Sequence, residues 1–170
     1  MELKIGSRVM YSAAGVCRLT GIETKCPDGI HETEYYRLEP MRTENRSVYF
    51  IPVSTASARL RPLITPEQVY ALIDSIGVRK CSWCTDRIAR KNQFHEMLKS
   101  DDPEQLICMV QSLHEHQTAL GESGKKLSPS DEAALRSAEQ LLNEEFAAVL
   151  HMHPPDIPEL VQKRLAARQT

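Results

Sequence analysis

A chain of 170 residues and 19.2 kDa has room for one ordinary domain or two small ones. Hydrophobic residues at 41% and charged residues at 26% exclude a disordered chain, and no apolar run nears the roughly 20 residues of a membrane span. The net charge of -2 hides a gradient: residues 1–62 carry nine basic and seven acidic side chains, residues 63–99 six and four, and residues 100–170 six and twelve.

The first 62 residues read as β. Residues 8–11 predict a short strand. Residues 15–23 predict a second, with Val16, Arg18, Thr20 and Ile22 on one face and Cys17, Leu19 and Gly21 on the other. Cys26-Pro27-Asp28-Gly29 is a turn, because proline presets φ and glycine accepts positive φ. Residues 33–38 and 46–53, rich in Tyr, Val, Phe and Ile, predict two further strands. Four or five short antiparallel strands in this length imply a small SH3-like or Tudor-like barrel.

From Thr65 the apolar period becomes 3.6. Thr65 and Gln68 have capping-box spacing around Pro66, and Val69, Leu72, Ile73 and Ile76 form one stripe that should end near Gly77. A second helix is predicted from about Ser82 to Lys99. A third opens at Asp102-Pro103 with Leu106, Ile107, Val110 and Leu113 as its stripe. After a loop at residues 121–126, Ser128-Pro129 opens a fourth, carrying Leu135, Ala138, Leu141, Leu142, Phe146 and Val149. Pro154-Pro155 ends it, and residues 158–167 predict a short final helix. The fold class is α+β: a β-module over residues 1–62, then an all-helical module over residues 63–170.

No catalytic set emerges. A glycine-rich phosphate loop, G-x-S-x-G and H-E-x-x-H are all missing from the sequence, which reads as a non-enzyme with no cofactor and no metal. Residues 1–6 have no apolar run of the secretory kind. The five cysteines therefore read as reduced thiols of a cytoplasmic protein. Cys81-Ser82-Trp83-Cys84 has the spacing of a redox couple or half a zinc site, with no second C-x-x-C to complete it. His114 and His116 are two apart and cannot face each other on a helix, so a shared metal is not expected. Glu144-Glu145 reads as a solvated helix flank.

Residues 79–99 hold Arg79, Lys80, Arg87, Arg90, Lys91 and Lys99 against Asp86 and Glu96. Arg87, Arg90 and Lys91, at i, i+3 and i+4, are expected on one face that either contacts phosphates or is simply solvated. Trp83, the single tryptophan, is either a core anchor or an apolar wedge for DNA.

An ordered set of residues then carries a resemblance. It comprises Ile5-Gly6, Val9, Tyr11, Gly15, Ile22-Glu23, Tyr35-Tyr36, Leu38 and Ile51-Pro52 in the β-module. In the helical module it comprises Trp83, Arg90-Lys91, Glu96, Leu98-Lys99-Ser100, Gly124-Lys125-Lys126-Leu127 and Glu144-Glu145-Phe146. Over residues 1 to about 152 the chain resembles the CarD/CdnL family of bacterial transcription regulators, whose first module is shared with transcription-repair coupling factors. It departs at Ser7, Ser12 and Ala14, where such sequences commonly carry Asp, Pro and His.

The resemblance implies a β-module that binds the RNA polymerase β subunit by strand addition, through Val48, Tyr49, Phe50 and Ile51 with Lys25 beside them. Of adjacent Tyr49 and Phe50, one must point inward. The resemblance also implies a helical module that contacts promoter DNA at the upstream edge of the melted region, through Trp83 with Arg79, Lys80, Arg87, Arg90 and Lys91, and so modulates open-complex lifetime. The free protein is expected to be a monomer. Two rival readings are a metal- or thiol-based sensor built on Cys81 and Cys84, and a polymerase adaptor that does not touch DNA.

Overall fold

In the computed structural model, which describes residues 3–170, the chain divides into two units, one ending at Leu63 and the other beginning at Ile64. The first holds β1 (Arg8–Tyr11), β2 (Gly15–Lys25), β3 (Thr33–Pro40), β4 (Tyr49–Pro52), a short helix α1 (Ala56–Arg59) and β5 (Leu60–Pro62). These five strands form one antiparallel sheet in the order β4-β3-β2-β1-β5. The turn between β2 and β3 has Gly29 at φ +72°, the left-handed region that glycine enters at no steric cost.

β2 departs from the simple alternation expected of it. The β2–β3 register shifts between Leu19 and Gly21, which leaves Thr20 as an extra residue opposite β3. Its hydroxyl donates to the Arg37 carbonyl at 3.3 Å. The bulge advances the pattern by one, so Ile22 is paired with Tyr36, on the side of Leu19 rather than that of Arg18. Val9, Cys17, Leu19, Leu38, Ile51 and Leu60 make the small core of this unit.

The second unit is helical: α2 (Pro66–Ser75), α3 (Arg87–Ser100), α4 (Pro103–Glu122), α5 (Pro129–Leu150) and α6 (Ile157–Ala167). The caps foreseen at Thr65, Asp102 and Ser128 are all formed, and Thr65 with Gln68 completes a capping box with bonds of 2.8 and 3.2 Å. Val69, Ile73, Leu106, Met109, Leu113, Leu142, Phe146 and Ile157 are buried as its core. α4 runs through Glu122, two residues into the predicted loop.

Two corrections concern helix ends and charge. α3 starts at Arg87, not near Ser82, because Asp86 is its cap: the Asp86 carboxylate accepts from the Ala89 N–H at 2.7 Å. Residues 80–85 are therefore a connecting segment without helical structure. Glu145 is not on a solvated flank. It is 1% exposed and accepts the Ile64 N–H at 3.0 Å, which ties the start of the unit to α5.

Candidate functional site

Strand period two settles the geometry of β4. Ile51 is buried and Tyr49 packs against the core, its ring edge-to-face with Tyr11 at 5.5 Å. Phe50 takes the opposite face, opposite Arg37 on β3. Val48, just before the strand, is among the exposed large hydrophobics. The Lys25 ammonium lies 3.0 Å from the Phe50 ring centroid and 3.6 Å from the Glu23 carboxylate. Arg37 reaches Glu23 at 3.8 Å and Glu39 at 3.0 Å on that same face. β4 is one of the two edge strands of the sheet, with β5 at the other edge, so an aromatic ring and a cation stand beside a sheet edge, the arrangement that suits an added strand.

In the helical unit the expected basic face is rearranged. Arg87 and Lys91 are exposed, but Arg90 is 7% exposed. Its guanidinium grips Asp131 of α5 in a bidentate pair, Nε to Oδ1 at 3.0 Å and Nη2 to Oδ2 at 2.9 Å. Nη1 donates to the carbonyls of Cys84 and Thr85 at 2.9 and 3.4 Å. Arg90 is thus a brace between α3, α5 and the connecting segment, and it does not share the solvent face with Arg87 and Lys91. Arg79 is partly exposed and pairs with Glu104 at 3.1 Å, while Lys80 is exposed.

Trp83 is half-buried in the connecting segment rather than at the head of a helix. His116 stacks on its ring at 4.0 Å, Arg90 lies over it at 4.6 Å, and Phe94 meets it edge-on at 6.3 Å. Its π surface is engaged inside the unit, which is the geometry of an anchor rather than of a displayed wedge. Of the three side chains that hold it, Arg90 and His116 are read in the sequence in other roles and Phe94 is not singled out; Arg90 and Phe94, four apart, are the two buried residues of α3, and that spacing was the available signal.

The cysteine reading is also corrected. Cys81 is joined by a disulfide to Cys108 of α4, with 5.6 Å between their Cα atoms, while Cys84 is free. Cys81 and Cys84 do not form a pair, because the partner of Cys81 comes from a helix 27 residues away. Among the described residues no group of three or more His, Cys, Asp and Glu converges as a metal site.

The electrostatics follow from burial. Desolvation pushes the Asp131 carboxyl up, but the Arg90 guanidinium and the Ser128 hydroxyl, which donates at 2.8 Å, outweigh it and hold the pKa below the usual range. Arg90 is held charged by the same pair. At the far end of the unit Asp74 is lowered first by its hydrogen bonds from Arg164, both at 2.7 Å, which fasten α6 to α2. Among the described residues no helix is long and apolar enough to cross a membrane.

With this geometry in hand, comparison with known proteins is informative for one unit. Residues 3–64 match the family model of the CarD-like/TRCF RID domain. The N-terminal unit is therefore a CarD-like/TRCF RID module, which links the chain to RNA polymerase interaction and to transcription. Residues 65–170 lie outside that match. No curated protein matches the chain.

Proposed function

We propose that the protein is a transcription regulator that works by binding and not by catalysis. Its RID module docks on the RNA polymerase β subunit through β4, main chain to main chain, with Phe50 and Lys25 setting specificity and Val48 extending the contact. Its helical unit meets promoter DNA at the upstream edge of the melted region with the exposed cations of α3. By holding the open state more tightly than the closed one, it lengthens the life of the open complex, since differential affinity is the only lever a ligand has.

The observation that carries this reading is the coincidence of the RID match over residues 3–64 with an edge strand, β4, whose Phe50 faces away from the core and meets Lys25 of β2 across the sheet face. The DNA part is supported by local charge: Arg87, Lys91 and Lys99 are exposed in a chain whose net charge is negative. The test is retention of the full chain on immobilised polymerase β, followed by open-complex half-life with and without the protein. Retention with a longer half-life is expected. Retention without any effect of promoter DNA returns the protein to the adaptor class.

A further inference from the structure

We propose that the Cys81–Cys108 disulfide is a thiol–disulfide exchange site, opened in the folded protein by a thiol reductant, and that opening it frees the segment carrying Trp83. The proposal concerns the helical unit alone and stands whether or not that unit meets DNA.

The bond joins α4 to residues 80–85, which have no helical structure, rather than one core helix to another. Both of its cysteines are half-buried, so a thiolate can reach them, whereas Cys17 is 0% exposed in the core of the β-module. Exposed disulfides are the labile ones, and those of a reducing compartment are mostly catalytic or redox-sensing. The RID module links the chain to RNA polymerase, which works in such a compartment. The segment is anchored at both ends without the sulfurs. The Gln111 side chain donates to the Arg79 carbonyl at 3.1 Å, and Arg90 Nη1 donates to the carbonyls of Cys84 and Thr85 at 2.9 and 3.4 Å. Between these anchors the bond pins Cys81, two positions from Trp83, to α4.

A cavity of about 40 Å³ lies under the segment, lined by Ser82, Trp83, Cys84, Phe94, Cys108 and Ser112. Packing is incomplete where the indole meets the helices, so a shift of the segment gives up few contacts there. The helices do not depend on the bond: Arg90 and Asp131 join α3 to α5, and His114 of α4 meets Glu139 of α5 at 2.6 Å. In the exchange, a thiolate of the reductant attacks one of the bonded sulfurs. The S–S bond breaks, its electron pair leaves on the other cysteine, and that sulfur takes a proton. A second thiol of the reductant then displaces the remaining cysteine and closes the reductant's own disulfide. Two electrons have passed to the protein, and Cys81 and Cys108 are left as thiols. The oxidised form of the same couple runs the steps backward.

The test holds the full chain, without denaturant, in glutathione buffers of graded reduced-to-oxidised ratio. Alkylation followed by mass measurement identifies the thiols, and circular dichroism follows the helices. Emission of Trp83, the single tryptophan, follows the segment. The expected result is a reversible transition in which Cys81 and Cys108 become open to alkylation and helix content is kept. Across it, Trp83 emission shifts to the red and is quenched more strongly by acrylamide. Cys84→Ser should behave as the wild type, and Cys108→Ser should show the reduced emission in every buffer. Structural disulfides resist glutathione, so a bond that opens only after denaturant is added overturns the proposal. Opening with unchanged emission, or with loss of the helices, overturns it as well. Redox-dependent emission in Cys108→Ser would show that another pair is at work. None of these readouts involves polymerase or DNA, so a failure here leaves the proposed function untouched.

Discussion

Two cation–π pairs, Lys25 over Phe50 at 3.0 Å and Arg90 over Trp83 at 4.6 Å, sit in the two units and have opposite surroundings. The first is on a sheet face with Glu23 at 3.6 Å as a loose, solvated counter-charge. The second is enclosed, with Asp131 gripping the guanidinium at 2.9 and 3.0 Å and His116 stacked on the indole. The residue types alone do not decide which aromatic is displayed. What decides it is the counter-charge: a buried carboxylate draws the cation inward and the ring goes with it, whereas a surface carboxylate leaves both outside.

The comparison is broken most strongly at Arg90. Arg90→Ala leaves Asp131 buried without its partner and two carbonyls without a donor, a loss of about 3–5 kcal/mol. A fall in the midpoint of thermal unfolding and a red shift of Trp83 fluorescence should report it. Acid should act on the same pair. The Asp131 pKa is depressed in the folded state, so its contribution is complete above the ordinary value of 3.8 and is lost as pH falls through the lower folded value. Unfolding followed by circular dichroism should therefore show an acid limb that Asp131→Asn removes.

Next in size is the disulfide. Cys108→Ala, or reduction of the wild type, opens a loop whose ends are 27 residues apart and is expected to cost about 2–4 kcal/mol. Denaturant midpoints with and without dithiothreitol measure it. No change in midpoint on reduction would mean that the Arg90 brace alone holds the connecting segment.

Phe50→Ala tests the displayed pair. Retention on polymerase β should fall by about 2 kcal/mol, roughly thirtyfold, as for an aromatic anchor, with an unchanged melting midpoint. A lowered midpoint with normal retention would mean that Phe50 belongs to the module's packing. The smallest effect is expected for Lys25→Ala, below about 1 kcal/mol in binding, since an exposed cation–π pair contributes little.

What the sequence made legible was local. Thr65 with Gln68, Asp102 with Pro103 and Ser128 with Pro129 mark helix starts because a cap and the backbone N–H it accepts from lie within four residues. The antiparallel β-module followed by helices was readable from the change of period, and residues 3–64 bear the family resemblance out. The misreadings involve partners far along the chain or shifts of register. Arg90 meets Asp131 41 positions away, and Cys81 meets Cys108 27 away. The bulge at Thr20 is a pairing event between two strands, which no single-strand alternation contains. Asp86 is a cap legible in the sequence, and α3 begins right after it, five residues later than the start expected near Ser82.

The most direct measurement is photo-crosslinking from α3 in the assembled complex. A photoreactive side chain replaces Lys91, which is exposed on α3, and the protein is irradiated with polymerase and labelled promoter. The account predicts crosslinks to DNA at the upstream edge of the melted region, lost when Phe50→Ala weakens docking. Crosslinks to polymerase alone, with none to DNA, would contradict it.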